Sequence, residues 1–153
     1  MELDGKAFYE KRAKETTHPG LRNILLEMAE DEAKHYEIFK EMKEGRGWDA
    51  MGDGSQILTK AKGFFQQLAE EGAPEFPADE LAAWKELRET EENAEKFYRD
   101  KAAEAKDEES RKALTMIADE ERKHHHLIDN MIEFLTRPST WLEDAEWRNI
   151  EAY

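Results

Sequence analysis

The residues best suited to chemistry in this chain are two acid–imidazole pairs, Glu32 with His35 and Glu121 with His124. Each pair has the spacing Glu-x-x-His, which on a helix puts both side chains on one face within reach of a single cation. Each is preceded, 30 residues earlier, by another acid: Glu2 before Glu32 and Glu91 before Glu121. Four carboxylates and two imidazoles offer mostly hard oxygen with some nitrogen, a donor set that suits iron or manganese. Two divalent cations would neutralise four carboxylates. One Glu-x-x-His in a helix-rich chain is weak evidence, but two, each with its upstream acid, are strong.

The setting of these residues sharpens the point. Leu25, Met28, Glu32, His35, Phe39 and Met42 recur at spacings of three and four, the mark of one buried helical stripe. Leu114, Ile117, Glu121, His124, Ile128, Met131 and Leu135 form a second such stripe with the polar pair in the same place. An unpaired carboxylate in an apolar seam costs several kcal/mol or becomes neutral, in round numbers. Two intrusions at matching positions imply facing partners or a shared cation.

The stripes belong to an internal repeat. Shifting the sequence by 89 residues aligns 2–42 with 91–131 without a gap, and 12 of the 41 positions are identical. The identities include Glu2/Glu91, Tyr9/Tyr98, Glu32/Glu121 and His35/His124. Helices are expected over about 2–17, 21–44, 80–105 and 109–137, with Pro19 and Gly20 breaking the first hairpin at its turn and Pro138 ending the last helix. A short helix is expected within 55–72, capped by Ser55 and stopped near Gly72, and Asp79 is a candidate cap for the next. The expected organisation is therefore hairpin 1 over 2–44, a crossover over 45–79 with one short helix, hairpin 2 over 80–137, and a tail over 138–153. Two helical hairpins joined by one long crossover are an all-α, ferritin-like four-helix bundle.

Register supports convergence of the six residues. The midpoint of Glu2 and Glu32 is residue 17 and that of Glu91 and Glu121 is residue 106, both at hairpin turns. At ~1.5 Å per residue each acid stands about 22 Å from its turn, level with its mate. If the hairpins pack face to face, all six meet in one layer.

Composition narrows the rest. With 23 basic and 37 acidic residues the net charge is −14, which disfavours nucleic acid and anionic membranes as partners. No Cys is present, so disulfides, thiolate nucleophiles and Cys-held iron within these residues are excluded. No apolar run approaches a membrane span and no signal-peptide pattern opens the chain, so a cytoplasmic location is the default expectation. Bland assignments suit several other residues. His125 and His126 fall off the seam and His18 lies in a turn. Trp48, Trp84, Trp141 and Trp147 suit packing of loops and tail, and the Met residues suit the core.

The pattern E-x-x-[GA]-x-x-F-Y followed by A-x-[DE]-E-x-x-H, present twice, resembles the rubrerythrin branch of the ferritin-like di-iron carboxylate proteins. The likeness covers 2–131, and the W-L-E-D-A-E-W tail is similar as well. It implies a di-iron site with Glu32 and Glu121 bridging or chelating, Glu2 and Glu91 as terminal carboxylates, and one imidazole, His35 or His124, per metal. It implies reaction with hydrogen peroxide or dioxygen, with manganese as the other metal to consider, and a homodimer. Tyr9 and Tyr98 would hydrogen-bond ligand carboxylates. Asp31 would accept the outer N–H of His124, and Glu120 that of His35. The chain departs from that pattern in three ways. It has no Cys for a rubredoxin module, so electrons would come from a separate, rubredoxin-like donor. Ala94 stands in the second-hairpin slot where an extra Glu is found, and Gly5 in the matching slot of the first hairpin. Glu2 stands at the start of its helix, where ends fray. The same ligands would also serve a ferroxidase or iron-binding protein, a manganese catalase, or a metal that merely staples the bundle.

Overall fold

The computed structural model describes residues 1–45, 55–72, 76–138, 140–141 and 150. Five helices and no strand are found among them: α1 Glu2–Glu15, α2 Pro19–Lys43, α3 Ile57–Glu71, α4 Glu80–Glu104 and α5 Glu108–Thr136. α1 pairs with α2 and α4 with α5, giving the two hairpins, while α3 lies in the crossover and packs on α2 and α5. The architecture is the all-α, ferritin-like bundle expected. Trp48, Leu142, Trp147 and Tyr153, and most of the Gly-rich loop at 45–55, lie outside the described residues.

Local sequence sets the helix ends, with some differences from expectation. Pro19 and Gly20 do not separate the helices; they form the first turn of α2. A proline is tolerated there because its missing N–H would have no intrahelical partner anyway. His18 caps that turn, its Nδ1 accepting from the Leu21 N–H at 3.4 Å. Gly20 sits at a close approach of α2 and α3. A Cβ there would stand 3.2 Å from the Phe64 ring of α3 and 3.2 Å from the His18 ring. Asp107 caps α5 by accepting from Ser110 N–H at 2.7 Å. Asp79 stands at the start of α4 but makes no capping bond, and the N-cap of α3 is Gln56, not Ser55. The Ser55 hydroxyl instead accepts from Ile57 N–H at 3.2 Å. Gly72, at φ +88°, ends α3 in the left-handed region open to glycine.

The core has two apolar lobes. The larger takes Leu21, Leu25 and Met28 from α2, Phe65 and Leu68 from α3, Trp84 from α4, and Ile128 and Phe134 from α5. The smaller takes Ile38 from α2, Tyr98 from α4, and Leu114 and Ile117 from α5. Along α2 the larger lobe comes first; along α5 the smaller does, so these two helices run antiparallel. On both, the break between lobes falls at the Glu-x-x-His pair. The polar residues thus form a layer across the bundle with hydrocarbon on either side. Arg12 of α1 pairs with Glu80 of α4 at 3.3 Å, and Glu80 also accepts from the Trp84 indole at 2.8 Å, tying the hairpins together at the end nearer the turn of α1 and α2.

Trp141 is fully buried and its ring lies 4.5 Å from Phe65 and 6.1 Å from Phe134. This tail residue therefore belongs to the bundle's own core. Trp141→Ala is expected to cost about 3–5 kcal/mol of unfolding free energy, the usual range for deleting a buried aromatic ring. Urea denaturation measures it; a loss below about 1 kcal/mol would show that the tail contributes no packing.

Candidate metal centre

α1, α2, α4 and α5 each bring one acid to the layer, and α2 and α5 add the imidazoles. Glu2, Glu32, His35, Glu91, Glu121 and His124 are all buried, with His35, Glu121 and His124 wholly inaccessible. Two overlapping sets of donor atoms result. In one, Glu2, Glu32, His35 and Glu121 offer atoms all within 4.8 Å of one another; in the other, Glu32, Glu91, Glu121 and His124 do so. All six residues singled out in the sequence meet here, within one chain.

The pairing across hairpins is reciprocal. His35 Nδ1 lies 2.7 Å from Glu121 Oε1 and 3.8 Å from Glu32 Oε2. His124 Nδ1 lies 3.1 Å from Glu32 Oε1 and 3.9 Å from Glu121 Oε2. Each central carboxylate therefore turns one oxygen to each imidazole. The outer acids face only one apiece: Glu2 Oε2 is 3.8 Å from His35 Nδ1, and Glu91 Oε1 is 3.6 Å from His124 Nδ1. The two rings stand 6.1 Å apart, inclined by 29°.

The donors are poorly satisfied by the protein. Both oxygens of Glu2, both of Glu121 and both nitrogens of His35 are buried without a hydrogen-bond partner. The short His35–Glu121 approach is a matter of distance only, since its angles are not those of a hydrogen bond. Orphaned buried polar atoms are rare because each forfeits its hydration. Six of them on three residues of one layer, together with four carboxylates and two imidazoles, fit a pair of divalent cations.

Electrostatics in the layer follow from burial and crowding. Burial pushes the Glu121 carboxyl well up, against the pull of His35, and the neighbouring Glu91 and Glu32 add to the rise. Glu32 is raised likewise, chiefly by burial. Burial also opposes the charge on Glu2, but His35, Glu32 and Tyr98 outweigh it and lower that carboxyl to about 2. Burial disfavours the imidazolium of both histidines, yet the carboxylates around them win and raise both well above the ordinary value.

The surrounding residues divide unevenly. Tyr9 donates to Glu91 Oε1. Tyr98 lies near Glu2, whose charge helps burial to raise its phenol, but neither Glu2 oxygen gains an aligned hydrogen bond. Asp31 Oδ2 is 3.0 Å from His124 Nε2. The equivalent bond from His35 to Glu120 does not form. Glu120 instead accepts from the Ser55 N–H at 2.9 Å and from Lys123 Nζ at 3.0 Å. The crossover has captured it, a partner that the repeat alone could not disclose. Gly5 is, in the sequence pattern, only a slot lacking an acid. It lies beside Glu32, where a Cβ would stand 3.6 Å from the Glu32 carboxyl carbon, ordinary contact.

Among the described residues no helix is long and apolar enough to cross a membrane. No curated protein and no solved structure shows a significant match to the chain. The family model described as Rubrerythrin matches residues 1–132. That span contains both hairpins through Ile132, the crossover and every donor of the buried layer, and on it the chain belongs to the rubrerythrin family.

Proposed function

We propose that this protein is a dinuclear-iron oxidoreductase that reduces hydrogen peroxide to water. The observation that supports it most is the sharing geometry: Glu32 and Glu121 each present one oxygen to the His35 side and the other to the His124 side. That is what two carboxylates common to two cations require. Glu2 with His35 and Glu91 with His124 would complete the respective positions.

A bound ferrous pair would supply two electrons, one from each ion, which with two protons convert one peroxide to two waters. The chain's own residues supply the setting. Four carboxylates balance the charge of two divalent ions, and neutral imidazoles complete the ligands without adding charge. The apolar lobes, with Met28 and Ile128 on one side and Ile38 and Ile117 on the other, exclude bulk water. The Tyr9 hydroxyl holds Glu91 in place. Electrons would return from a separate donor of the rubredoxin class, since these 153 residues contain no Cys with which to hold such a centre. A homodimer is the assembly we propose.

Anaerobic stopped-flow mixing tests the function. The ferrous protein is expected to be oxidised by peroxide at least tenfold faster than by an equal concentration of dioxygen, with one peroxide consumed per two irons. Faster reaction with dioxygen would replace this proposal by a ferroxidase. No reaction with either oxidant would leave only a structural role for the metal.

A further inference from the structure

The internal repeat makes the two halves of the metal layer equivalent in sequence, but the structure does not keep them equivalent. Asp31 and Glu120 are repeat partners, 89 residues apart. Asp31 reaches His124 Nε2 at 3.0 Å. An ion taking Nδ1 of His124, the nitrogen that faces Glu32, Glu91 and Glu121, would leave the ring's other proton on Nε2, where Asp31 accepts it and holds the ring in place. Glu120 is committed to Ser55 N–H and Lys123, so His35 Nε2 is buried with no partner. The outer nitrogen of His35 therefore has no acceptor to do what Asp31 does for His124. The outer acids repeat the inequality. Glu91 receives the Tyr9 hydroxyl, whereas both oxygens of Glu2 lack a donor.

We infer that the two metal positions differ in affinity: the one formed by Glu32, Glu91, Glu121 and His124 fills first and holds its ion more tightly than the one formed by Glu2, Glu32, Glu121 and His35. Asp31 is the positioning residue behind the difference. The inference rests on the dinuclear reading of the layer, and it concerns how the two ions bind rather than what they do.

The physical reason is preorganisation. An outer hydrogen bond to a ligating imidazole fixes its tautomer and raises its basicity, and losing such a partner typically costs about 10–100-fold in metal affinity. Charge alone would also separate two binding steps, because the first ion meets four carboxylates and the second a half-neutralised set. The existence of two steps is therefore not diagnostic. Which position fills first, and whether Asp31 decides it, are.

Cobalt(II) is a suitable probe because it absorbs visibly in such ligand fields and scatters anomalously. Metal-free wild-type protein crystallised with one equivalent of cobalt(II) should show its anomalous peak beside His124, with at least tenfold greater occupancy there than beside His35. In solution, Asp31→Ala should weaken the tighter step of a cobalt titration by about 10–100-fold. Asp31→Asn, which keeps an acceptor for the imidazole N–H, should restore part of that loss. Glu120→Gln should leave both steps within about threefold of wild type. Equal occupancy of the two positions, or preference for the His35 position, would overturn the inference while leaving a dinuclear centre intact. So would an Asp31→Ala variant whose tighter step is unchanged. Failure of the wild-type protein to bind cobalt(II) at all would instead remove the metal centre itself. The wild-type measurement stands whether or not the Asp31 variants fold.

Discussion

Loading metal-free protein with a divalent cation is expected to raise its Tm by about 8–16 °C. A ligand that binds only the native state stabilises it by about 4 kcal/mol when free ligand is near 1,000 times Kd. For a domain of this size each kcal/mol moves Tm by roughly 2–4 °C. The native layer has reason to respond this strongly. Glu2, Glu32, Glu91 and Glu121 crowd four acids into one buried layer, and the orphaned atoms of Glu2, His35 and Glu121 have given up water for nothing that replaces it. Cations would meet both deficits at once. Thermal scans with chelator, and with iron(II) or manganese(II) under anaerobic conditions, measure the shift. The doubly substituted Glu32→Ala, Glu121→Ala protein, which lacks both shared carboxylates, should show no metal-dependent shift beyond about 2 °C. Identical scans for the wild-type protein with and without metal would remove the premise that these residues hold ions.

Why this layer could be found in the sequence, and its asymmetry could not, has a physical basis. Glu32, His35, Glu121 and His124 stand out because helical periodicity assigns them to buried stripes while their chemistry forbids casual burial. Glu2 and Glu91 follow from register, since residues equidistant from a hairpin turn must lie level along antiparallel helices. The structure brings these six together because both constraints are local to a hairpin, or repeated in both. Asp31 and Glu120 mark the limit. Their repeat positions are the same, but Glu120 is drawn to Ser55 N–H, a group delivered by the crossover. The crossover lies outside the repeat, so nothing in the second hairpin reveals the competition. Backbone donors carry no sequence signature; the caps differ too, with Gln56 rather than Ser55 the N-cap of α3 and Asp79 making no capping bond. Pro19 differs in kind: the same residue that ends one helix is well suited to begin the next, and its role depended on which side of it the turn fell.

Metal affinity should climb steeply with pH around neutrality, and this sign follows from the protonation of the metal-free layer. Burial disfavours the charged form of His35 and His124, but Glu121, Glu2 and Glu32 around the first, and Asp31, Glu32 and Glu91 around the second, raise both well above the ordinary imidazole range. Near pH 7 the metal-free layer therefore keeps a proton on each ring, and those protons partly stand in for the missing cations. An ion that takes Nδ1 must displace one proton. Two ions release both ring protons, so the overall constant for binding both rises by at least about 100-fold per pH unit while both rings are protonated, and any proton held by Glu32 or Glu121 adds to the release. The same protons govern the metal-free fold. A histidine whose native pKa is raised contributes stability that is complete below the unfolded value, about 6.5, and is lost as pH rises through the native value. Glu32 and Glu121, raised chiefly by burial, act in the same direction, because ionising them in the layer is unfavourable. The metal-free protein should thus lose Tm on going from pH 6 to pH 9, while the loaded protein changes little and the gap between the two widens. Calorimetric titration of manganese(II) in buffers of different ionisation enthalpy counts the protons directly. At least two released per pair of ions is the expected result; none released at pH 7 would show that the rings are already neutral and that the carboxylates around them, not bound protons, set the state of the metal-free layer.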